Sequence, residues 1–240
     1  MLIELLGLPG SGKSTLIKAL VPALRKAGLS ARRADKLAGL ESTDPAAPRY
    51  LKRGADRTTL YRTLAFRRDH PALMDHVERT LDLSASDTFL FSWTSNLYAA
   101  SREHAHIVDV AFLDEGFAHR GVSAHLDADD ALYHDYLSLI PLPDLILHLC
   151  PPPRMAFRRA IHRRADKSFS KRKVQAKLGD RFVFRTRHRL IETGLDALKA
   201  RGAQVIDVNT AAEIEACVAD VLPKLIALRS TLEAQKTAAE

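Results

Sequence analysis

The stretch MLIELLGLPGSGKST, residues 1–15, decides the fold of this 240-residue chain. Residues 2–6 form a short apolar run that predicts a strand, and the pattern GxxxxGK[ST] follows directly at 7–14. Apolar residues then recur at helical spacing, at Leu16, Ile17, Leu20 and Leu24. A strand, this glycine-rich pattern and a helix, in that order, are typical of a loop that binds nucleotide phosphates.

The residues of this loop suit a nucleoside triphosphate. Its glycines let successive backbone N–H groups converge on one point, and the helix N-terminus adds partial positive charge there. We expect the nucleotide to be bound by Gly10, Ser11, Gly12, Lys13, Ser14 and Thr15. In such loops the lysine bridges the β- and γ-phosphates and the serine hydroxyl ligates Mg²⁺, so Lys13 and Ser14 are assigned these roles.

The composition indicates a globular protein of one domain. Hydrophobic residues make up 46% of the chain and charged residues 27%. No apolar run is long enough to span a membrane. Met1 leads directly into the first predicted strand, so we expect no signal or transit peptide. Cys150 and Cys217 lie in apolar stretches without metal-ligand spacing and are interpreted as buried, reduced thiols, which predicts a cytoplasmic protein.

Positive charge is concentrated in one segment. The chain has a net charge of +7, and between Arg154 and Arg189 there are fourteen basic residues against two acidic ones. Such a segment predicts an anionic partner. A nucleic acid is disfavoured because the phenylalanines here (Phe157, Phe169, Phe182, Phe184) show helical or core-like spacing instead of forming a stacking platform. A basic flap over nucleotide phosphates is the simpler interpretation.

A second candidate site follows the apolar run 107–113, which predicts a buried strand. It ends in Asp114-Glu115-Gly116, and the carboxyl edge of a parallel sheet is where ligands bind. Asp114 is expected to hold Mg²⁺ directly or through water, as a Walker-B aspartate does. Glu115 is a candidate for orienting or deprotonating a nucleophile, with a solvated acid at the end of a strand as the equal alternative.

Five strands are predicted, at 2–6, 30–34, 107–113, 145–150 and 204–208. Their alternation with amphipathic helices predicts an α/β fold, a three-layer P-loop NTPase sandwich with a five-stranded parallel sheet and a small basic lid. Pro22 is expected to kink or shorten the first helix, and Pro223 to interrupt the last. Leu60, Leu64 and Phe66 are predicted to face inward.

Two further segments admit alternatives. Thr88 to Ala100, the most aromatic stretch, is interpreted as a buried helix, with the polar Thr94-Ser95-Asn96 as the sign of an acceptor pocket. After the last strand, Thr210 is a candidate N-cap, with Glu213 completing a capping box.

The chain resembles the nucleoside-monophosphate kinase group of P-loop kinases, and within it the thymidylate kinases. The features that carry the resemblance are GSGKST at 10–15, FLF at 89–91, PDLILHLCPPPRMAFRRAIHRR at 143–164 and VIDV at 205–208. It implies one domain over 1–240, an acceptor-binding region at about 36–105 and a lid at about 164–182.

The resemblance also implies site residues. Arg159 and Arg163 fall where the family places arginines that contact ATP and neutralise the transferring phosphoryl group. Asn209 and Thr210 lie where the adenine pocket is usually closed. ATP and Mg²⁺ are the implied cofactors, a small molecule is the acceptor, and a homodimer is one arrangement that the sequence leaves open.

The chain departs from the thymidylate kinases at two positions. Asp114-Glu115-Gly116 replaces their Asp-Arg-Tyr, and Thr94-Ser95 stands where they carry an arginine that grips the acceptor monophosphate. These changes remove basic charge, so an acceptor hydroxyl is favoured over thymidine monophosphate, with Glu115 as general base. Arg49, Arg53, Arg57 and Arg62 form either an alternative phosphate grip or an exposed basic face.

The leading functional hypothesis is a phosphotransferase that moves the γ-phosphoryl group of Mg-ATP to a small molecule, with Lys13, Asp114, Glu115, Arg159 and Arg163 as catalytic residues. The alternative is a P-loop ATPase switch that acts on a protein or nucleic acid, because an Asp-Glu pair after an apolar strand also occurs in such ATPases. A nucleotide-binding protein without transfer activity is the third reading.

Overall fold

The centre of the molecule is a five-stranded parallel sheet. The computed structural model describes residues 1–40, 55–80, 85–165 and 181–239. The strands are β1 Leu2–Gly7, β2 Ala31–Arg33, β3 Val110–Leu113, β4 Leu145–Leu149 and β5 Val205–Val208. They are ordered β2-β3-β1-β4-β5, and every neighbouring pair is parallel. The five predicted strands are therefore confirmed, with β3 beginning three residues later than expected.

Helices surround the sheet. They are α1 Lys13–Lys26, α2 Ala34–Ala38, α3 Ala55–Asp69, α4 Pro71–Thr80, α5 Ala85–Glu103, α6 Phe117–Ala124, α7 Asp130–Leu139, α8 Pro153–Ala165, α9 Arg181–Ala200 and α10 Ile214–Ala239. Among the described residues, no helix is both long and apolar enough to cross a membrane. The predicted lid falls mainly on residues 166–180, and part of the predicted acceptor region on 41–54 and 81–84; these segments lie outside the described residues.

The two faces of the sheet bury different helices. Side chains alternate along a strand, so Ile3 and Leu5 of β1 point to one face while Leu2 and Leu6 point to the other. The first face is covered by α1 and α10, and the second by a larger cluster that includes α5, α6, α7 and α9. The predicted three-layer α/β P-loop NTPase fold is confirmed.

Both prolines lie inside uninterrupted helices. Pro22 is within α1, which keeps its predicted length, and Pro223 is within α10, so the predicted interruption is wrong. Each loses one backbone hydrogen bond, but apolar residues on either side are buried against the sheet, Leu20 and Leu24 in α1 and Val221 and Leu225 in α10. Tertiary packing of these residues therefore outweighs the local preference against proline.

The inward face of α3 differs from the prediction. Phe66 is buried, but Leu60 and Leu64 are each 55% exposed. The buried stripe is instead Thr58, Arg62 and Phe66, which are spaced four apart along one helical face. The choice of Leu60 and Leu64 as inward residues was wrong because polar residues that find partners occupy the buried face here.

Candidate active site

The glycine-rich loop at 7–15 joins β1 to α1 in a tight turn. Gly12 is the residue before α1 and has φ +96°, and Gly10 has φ +83°, conformations that residues with a Cβ rarely adopt. A Cβ on Gly10 would also overlap the carbonyl oxygen of Ala156 in α8. The loop thus lies against the backbone of α8, and its glycines are required by conformation and by contact.

Lys13, Ser14 and Asp114 meet at the carboxyl edge of the sheet. Lys13 is buried, and its Nζ donates to the carbonyl oxygen of Gly7 at 2.7 Å. The Ser14 hydroxyl donates to Oδ2 of Asp114 at 2.8 Å, although the two residues are 100 positions apart. Oδ1 of Asp114 is buried and, among the described residues, has no hydrogen-bond partner. A hydroxyl beside a carboxylate with one unsatisfied oxygen suits a hard cation such as Mg²⁺.

Ser11 and Thr15 complete the loop. The carbonyl of Ser11 accepts from the Thr210 hydroxyl at 2.7 Å, and its own hydroxyl is buried without a partner in the described part of the chain. Thr15, in the first turn of α1, is exposed. The loop is therefore tied to the turn after β5, as expected if both belong to one nucleotide site.

Glu115 begins a charged cluster at the start of α6. Its Oε2 is 2.7 Å from Nη2 of Arg120, and its Oε1 is 3.7 Å from Nε2 of His119. Glu115 itself is 45% exposed, so one side of its carboxylate faces solvent. The carboxylate is thus held on one side by Arg120 and remains accessible to a small molecule.

The cluster also contains a second arginine, which is buried. Arg187 of α9 is 8% exposed, and its Nη1 donates to the Ser123 hydroxyl at 3.1 Å. Burial lowers the pKa of Arg187, and Glu115 acts in the opposite direction. His119 is buried too, and its pKa lies well below the ordinary value because of burial and of the neighbouring charges of Lys13, Arg120 and Arg187. His119 is therefore neutral and surrounded by cations.

These arginines correct one expectation. Thr94 and Ser95 were expected to leave this part of the site without basic charge, but Nε of Arg120 donates to the Thr94 hydroxyl at 3.1 Å. The cation is supplied from α6 instead of α5. Arg120 was not predicted because it follows the strand by several residues, and Arg187 was not predicted because it is one of fourteen basic residues in its segment.

The buried carboxyl of Glu4 holds the start of α6, the helix that carries His119 and Arg120. Glu4 in the central strand β1 is 2% exposed, and its Oε1 accepts from the backbone N–H of His119 at 2.9 Å. Burial raises the pKa of Glu4 to about 7, while hydrogen bonds from the backbone of His119, Ala118 and Gly116 and the charge of Arg120 act to lower it. Glu4 thus satisfies the first N–H groups of α6 and fixes the helix that carries Arg120. An acid inside an otherwise apolar strand was the sequence signal for this role.

The opposite side of the loop carries the expected nucleotide-binding residues. Nη1 of Arg159 donates to the carbonyl oxygen of Thr210 at 2.9 Å, so these two residues lie together. Thr210 is not the N-cap of α10, which begins at Ile214; its hydroxyl binds the loop at Ser11 instead, and Oδ1 of Asn209 accepts from the N–H of Ala211 at 3.1 Å. Arg163 lies in α8, but its side chain falls outside what the structure describes.

Arg62 does not take part in a phosphate grip. It is 2% exposed and donates to Oε2 of Glu103 at 2.7 Å and to the carbonyl oxygens of Ala38 and Leu40. These bonds join α3 to α2 and α5. Arg49 and Arg53 lie outside the described residues, and the Arg57 side chain is exposed.

The cysteines are not both buried. Cys217 is buried, whereas Cys150 at the end of β4 is exposed, and both are free thiols. Cys150 is exposed because it follows the last residue of β4, at the carboxyl edge of the sheet.

Comparisons with known proteins concern the fold. No family model matches the sequence, and a search of curated proteins finds no match. Among solved structures, the chain is similar to the deoxyadenosine kinase from M. mycoides with bound dCTP, with 14% identity, a TM-score of 0.51, and coverage of 95% of this chain and 100% of that one.

Two further structures of that enzyme are also similar. For the enzyme with bound dATP the identity is 14%, the TM-score 0.49 and the coverage 94% and 99%. For the enzyme with the products dCMP and a flexible dCDP the values are 13%, 0.49, 95% and 100%. At such identities the likeness concerns the fold alone: the chain shares the α/β fold of that enzyme along nearly its whole length.

Proposed function

We propose that the protein is a phosphotransferase that moves the γ-phosphoryl group of Mg-ATP to a small-molecule acceptor. The observation that carries this proposal is the 2.8 Å contact between the Ser14 hydroxyl and Asp114, beside the buried Lys13. Asp114 has one buried oxygen without a partner among the described residues, so Ser14 and Asp114 fit Mg²⁺. When bound, the metal neutralises charge on the β- and γ-phosphate oxygens.

The residues of the loop bind and orient the donor. The backbone N–H groups of Gly10 to Thr15 surround the phosphates, and Lys13 exchanges its bond to the Gly7 carbonyl for phosphate oxygens. Arg159, held against Thr210, contacts the nucleotide on the other side of the loop. Arg163, on the same helix, is proposed for the same role from sequence spacing.

The charged cluster on α6 and α9 acts at the acceptor. Arg120 and Arg187 supply positive charge in a largely buried setting, where it stabilises the spreading negative charge of the transferring group more strongly than in water. Glu115, anchored by Arg120, orients the acceptor or takes its proton. His119 is neutral and serves as a hydrogen-bonding side chain, not as a cation.

The acceptor carries a hydroxyl or a monophosphate. Glu115 suits a hydroxyl because a carboxylate can accept its proton, and the two arginines suit a phosphate. The resemblance to thymidylate kinases and the fold of deoxyadenosine kinase both support a nucleoside or nucleotide acceptor. The finer assignment to thymidylate kinase depends on whether Arg120 replaces the arginine that is missing at Thr94.

The test is a turnover assay with a panel of acceptors. Full-length protein, ATP and Mg²⁺ are combined with nucleosides, nucleoside monophosphates, sugars and other alcohols, and ADP is quantified. We expect ADP above background with one acceptor class only, and we expect Lys13→Met to lower kcat by roughly 10²–10³-fold, the usual cost of one preorganised donor. Lys18→Met, at an exposed position on the same helix, is the matched control and should leave kcat unchanged. ADP production that is identical with and without every acceptor would contradict the proposal.

A further inference from the structure

The carboxyl ends of β4 and β5 carry side chains that the proposed reaction does not use. The register pairs His148 of β4 with Asp207 of β5, so their side chains share one face of the sheet. Cys150 lies two residues after His148 and therefore projects to that same face. The face is the one covered by α9, because Ile146 and Val205 pack into the cluster that includes Leu190 and Ile191 of that helix.

The three side chains are close enough to share one ion. One donor atom from each of His148, Cys150 and Asp207 lies within 4.8 Å of the other two. Nδ1 of His148 is 2.8 Å from Oδ1 of Asp207. Within 1–40, 55–80, 85–165 and 181–239, this is the one group of three or more His, Cys, Asp or Glu side chains that meets this spacing.

The surroundings add further ligand-type groups and a route for entry. His148 is 7% exposed, whereas Cys150 and Asp207 reach solvent. A cavity of about 380 Å³ adjoins the cluster and is lined in part by His148, Cys150, His188 and Glu192. Oε1 of Glu192 is 3.8 Å from Nε2 of His148 and 3.9 Å from Nε2 of His188. His148 therefore fixes the cluster in the protein interior, and Cys150 and Asp207 leave it open to solvent.

We propose that His148, Cys150 and Asp207 form a binding site for a divalent transition-metal ion, Zn²⁺ in particular. Thiolate, imidazole and carboxylate are the donors that Zn²⁺ takes, whereas Mg²⁺ and Ca²⁺ prefer oxygen donors alone. The site is thus chemically distinct from the one at Ser14 and Asp114. Three protein ligands leave a fourth position for water. On binding, the Cys150 thiol gives its proton to solvent and its sulfur forms the bond to the metal.

Cys150 distinguishes a metal site from a simple hydrogen bond between His148 and Asp207. A hydrogen bond between His148 and Asp207 alone would account for the 2.8 Å contact without any metal. It would give Cys150 no role, whereas a metal site requires the sulfur as a ligand. The experiment therefore detects the bond between the Cys150 sulfur and the metal directly.

The test uses Co²⁺ and Zn²⁺ on the reduced, full-length protein after treatment with a chelator. We expect one Co²⁺ per chain, with a thiolate-to-cobalt charge-transfer band that Zn²⁺ abolishes by displacement. Cys150→Ser should remove the band and weaken Zn²⁺ binding by at least about tenfold, since even outer partners of metal sites cost 10–100-fold when changed. Asp207→Asn should also weaken binding, and both positions are exposed, so the fold should tolerate the changes. Cys217→Ser, at the other cysteine, is the matched control and should retain the band.

Two results would overturn the proposal. One is the absence of the charge-transfer band at equimolar Co²⁺; the other is equal Zn²⁺ affinity for Cys150→Ser and Cys217→Ser. The site does not depend on phosphoryl transfer, so Lys13→Met should bind Zn²⁺ like the unaltered protein. Failure of the metal site and failure of the proposed function are thereby distinguished.

Discussion

The buried carboxyl of Glu4 makes a quantitative prediction about stability. Glu4 lies in the central strand, 2% exposed, and its pKa is raised by burial to about 7 from 4.5. The fold therefore favours the neutral acid. Glutamine has nearly the same shape and keeps an oxygen that can accept the N–H of His119, so Glu4→Gln mimics the protonated form at every pH.

The size of the effect on the free energy of unfolding follows from the pKa shift of Glu4. A pKa that is higher in the folded state gives a stabilisation that is complete below about 4.5 and is lost as the pH rises through about 7. The shift corresponds to about 3 kcal/mol in the free energy of unfolding. The stability of Glu4→Gln relative to the unaltered protein should thus rise by about this amount between pH 4.5 and 8. His119, which is neutral in the fold, contributes a dependence of opposite sign in both proteins, so the difference isolates Glu4.

Urea unfolding followed by circular dichroism, at fixed pH values from 4.5 to 8, measures this difference. A constant offset between the two proteins is irrelevant, since the new amide adds a donor of its own; only the change with pH counts. Glu215→Gln, at an exposed position in the first turn of α10, is the control for removing a carboxylate that is not buried. A difference for Glu4→Gln that stays flat, or that falls as the pH rises, would refute the reasoning.

Three further predictions concern particular contacts. Gly10→Ala should weaken ATP binding, because the new Cβ overlaps the carbonyl of Ala156 and the site has φ +83°; unchanged affinity in a binding titration would contradict this. Arg62→Met should lower the free energy of unfolding by about 3–5 kcal/mol, the usual cost of removing one member of a buried ion pair, here the one with Glu103; a loss under about 1 kcal/mol in urea unfolding would show that the pair is not what holds α3 in place. Asp114→Asn should raise the Mg²⁺ concentration needed for half-maximal turnover by at least about 10-fold; an unchanged Mg²⁺ dependence would remove Asp114 from the metal site.

The fold followed from local sequence patterns because its strands are short apolar runs bounded by polar turns. All five strands and the first helix were predicted close to their observed bounds. Helices α6 and α7 were not predicted, since histidines, glycine and acids interrupt the apolar residues of the segment 117–139 and obscure their helical spacing. The prolines in α1 and α10 were expected to break their helices. Both helices continue, because packing against the sheet outweighs the local preference against proline.

The site was predictable where a motif fixes spacing and less so where distant segments converge. Ser14 and Asp114 were expected to meet because each is defined by the end of a neighbouring strand, β1 or β3. Arg120 and Arg187 reach the cluster from helices whose orientation no local pattern specifies. The same limitation hid the grouping of His148 with Cys150 and Asp207, which depends on strand pairing across 59 positions.

The central claim is that the γ-phosphoryl group is transferred to an acceptor and not to water. The most direct measurement follows label from γ-labelled ATP into products, in the presence of the acceptor that stimulates ADP formation, with and without Glu115→Gln. We expect label in the acceptor, little in inorganic phosphate, and loss of transfer in the variant. Label that accumulates only in inorganic phosphate, at the same rate with no acceptor present, would contradict the account and indicate an ATPase switch.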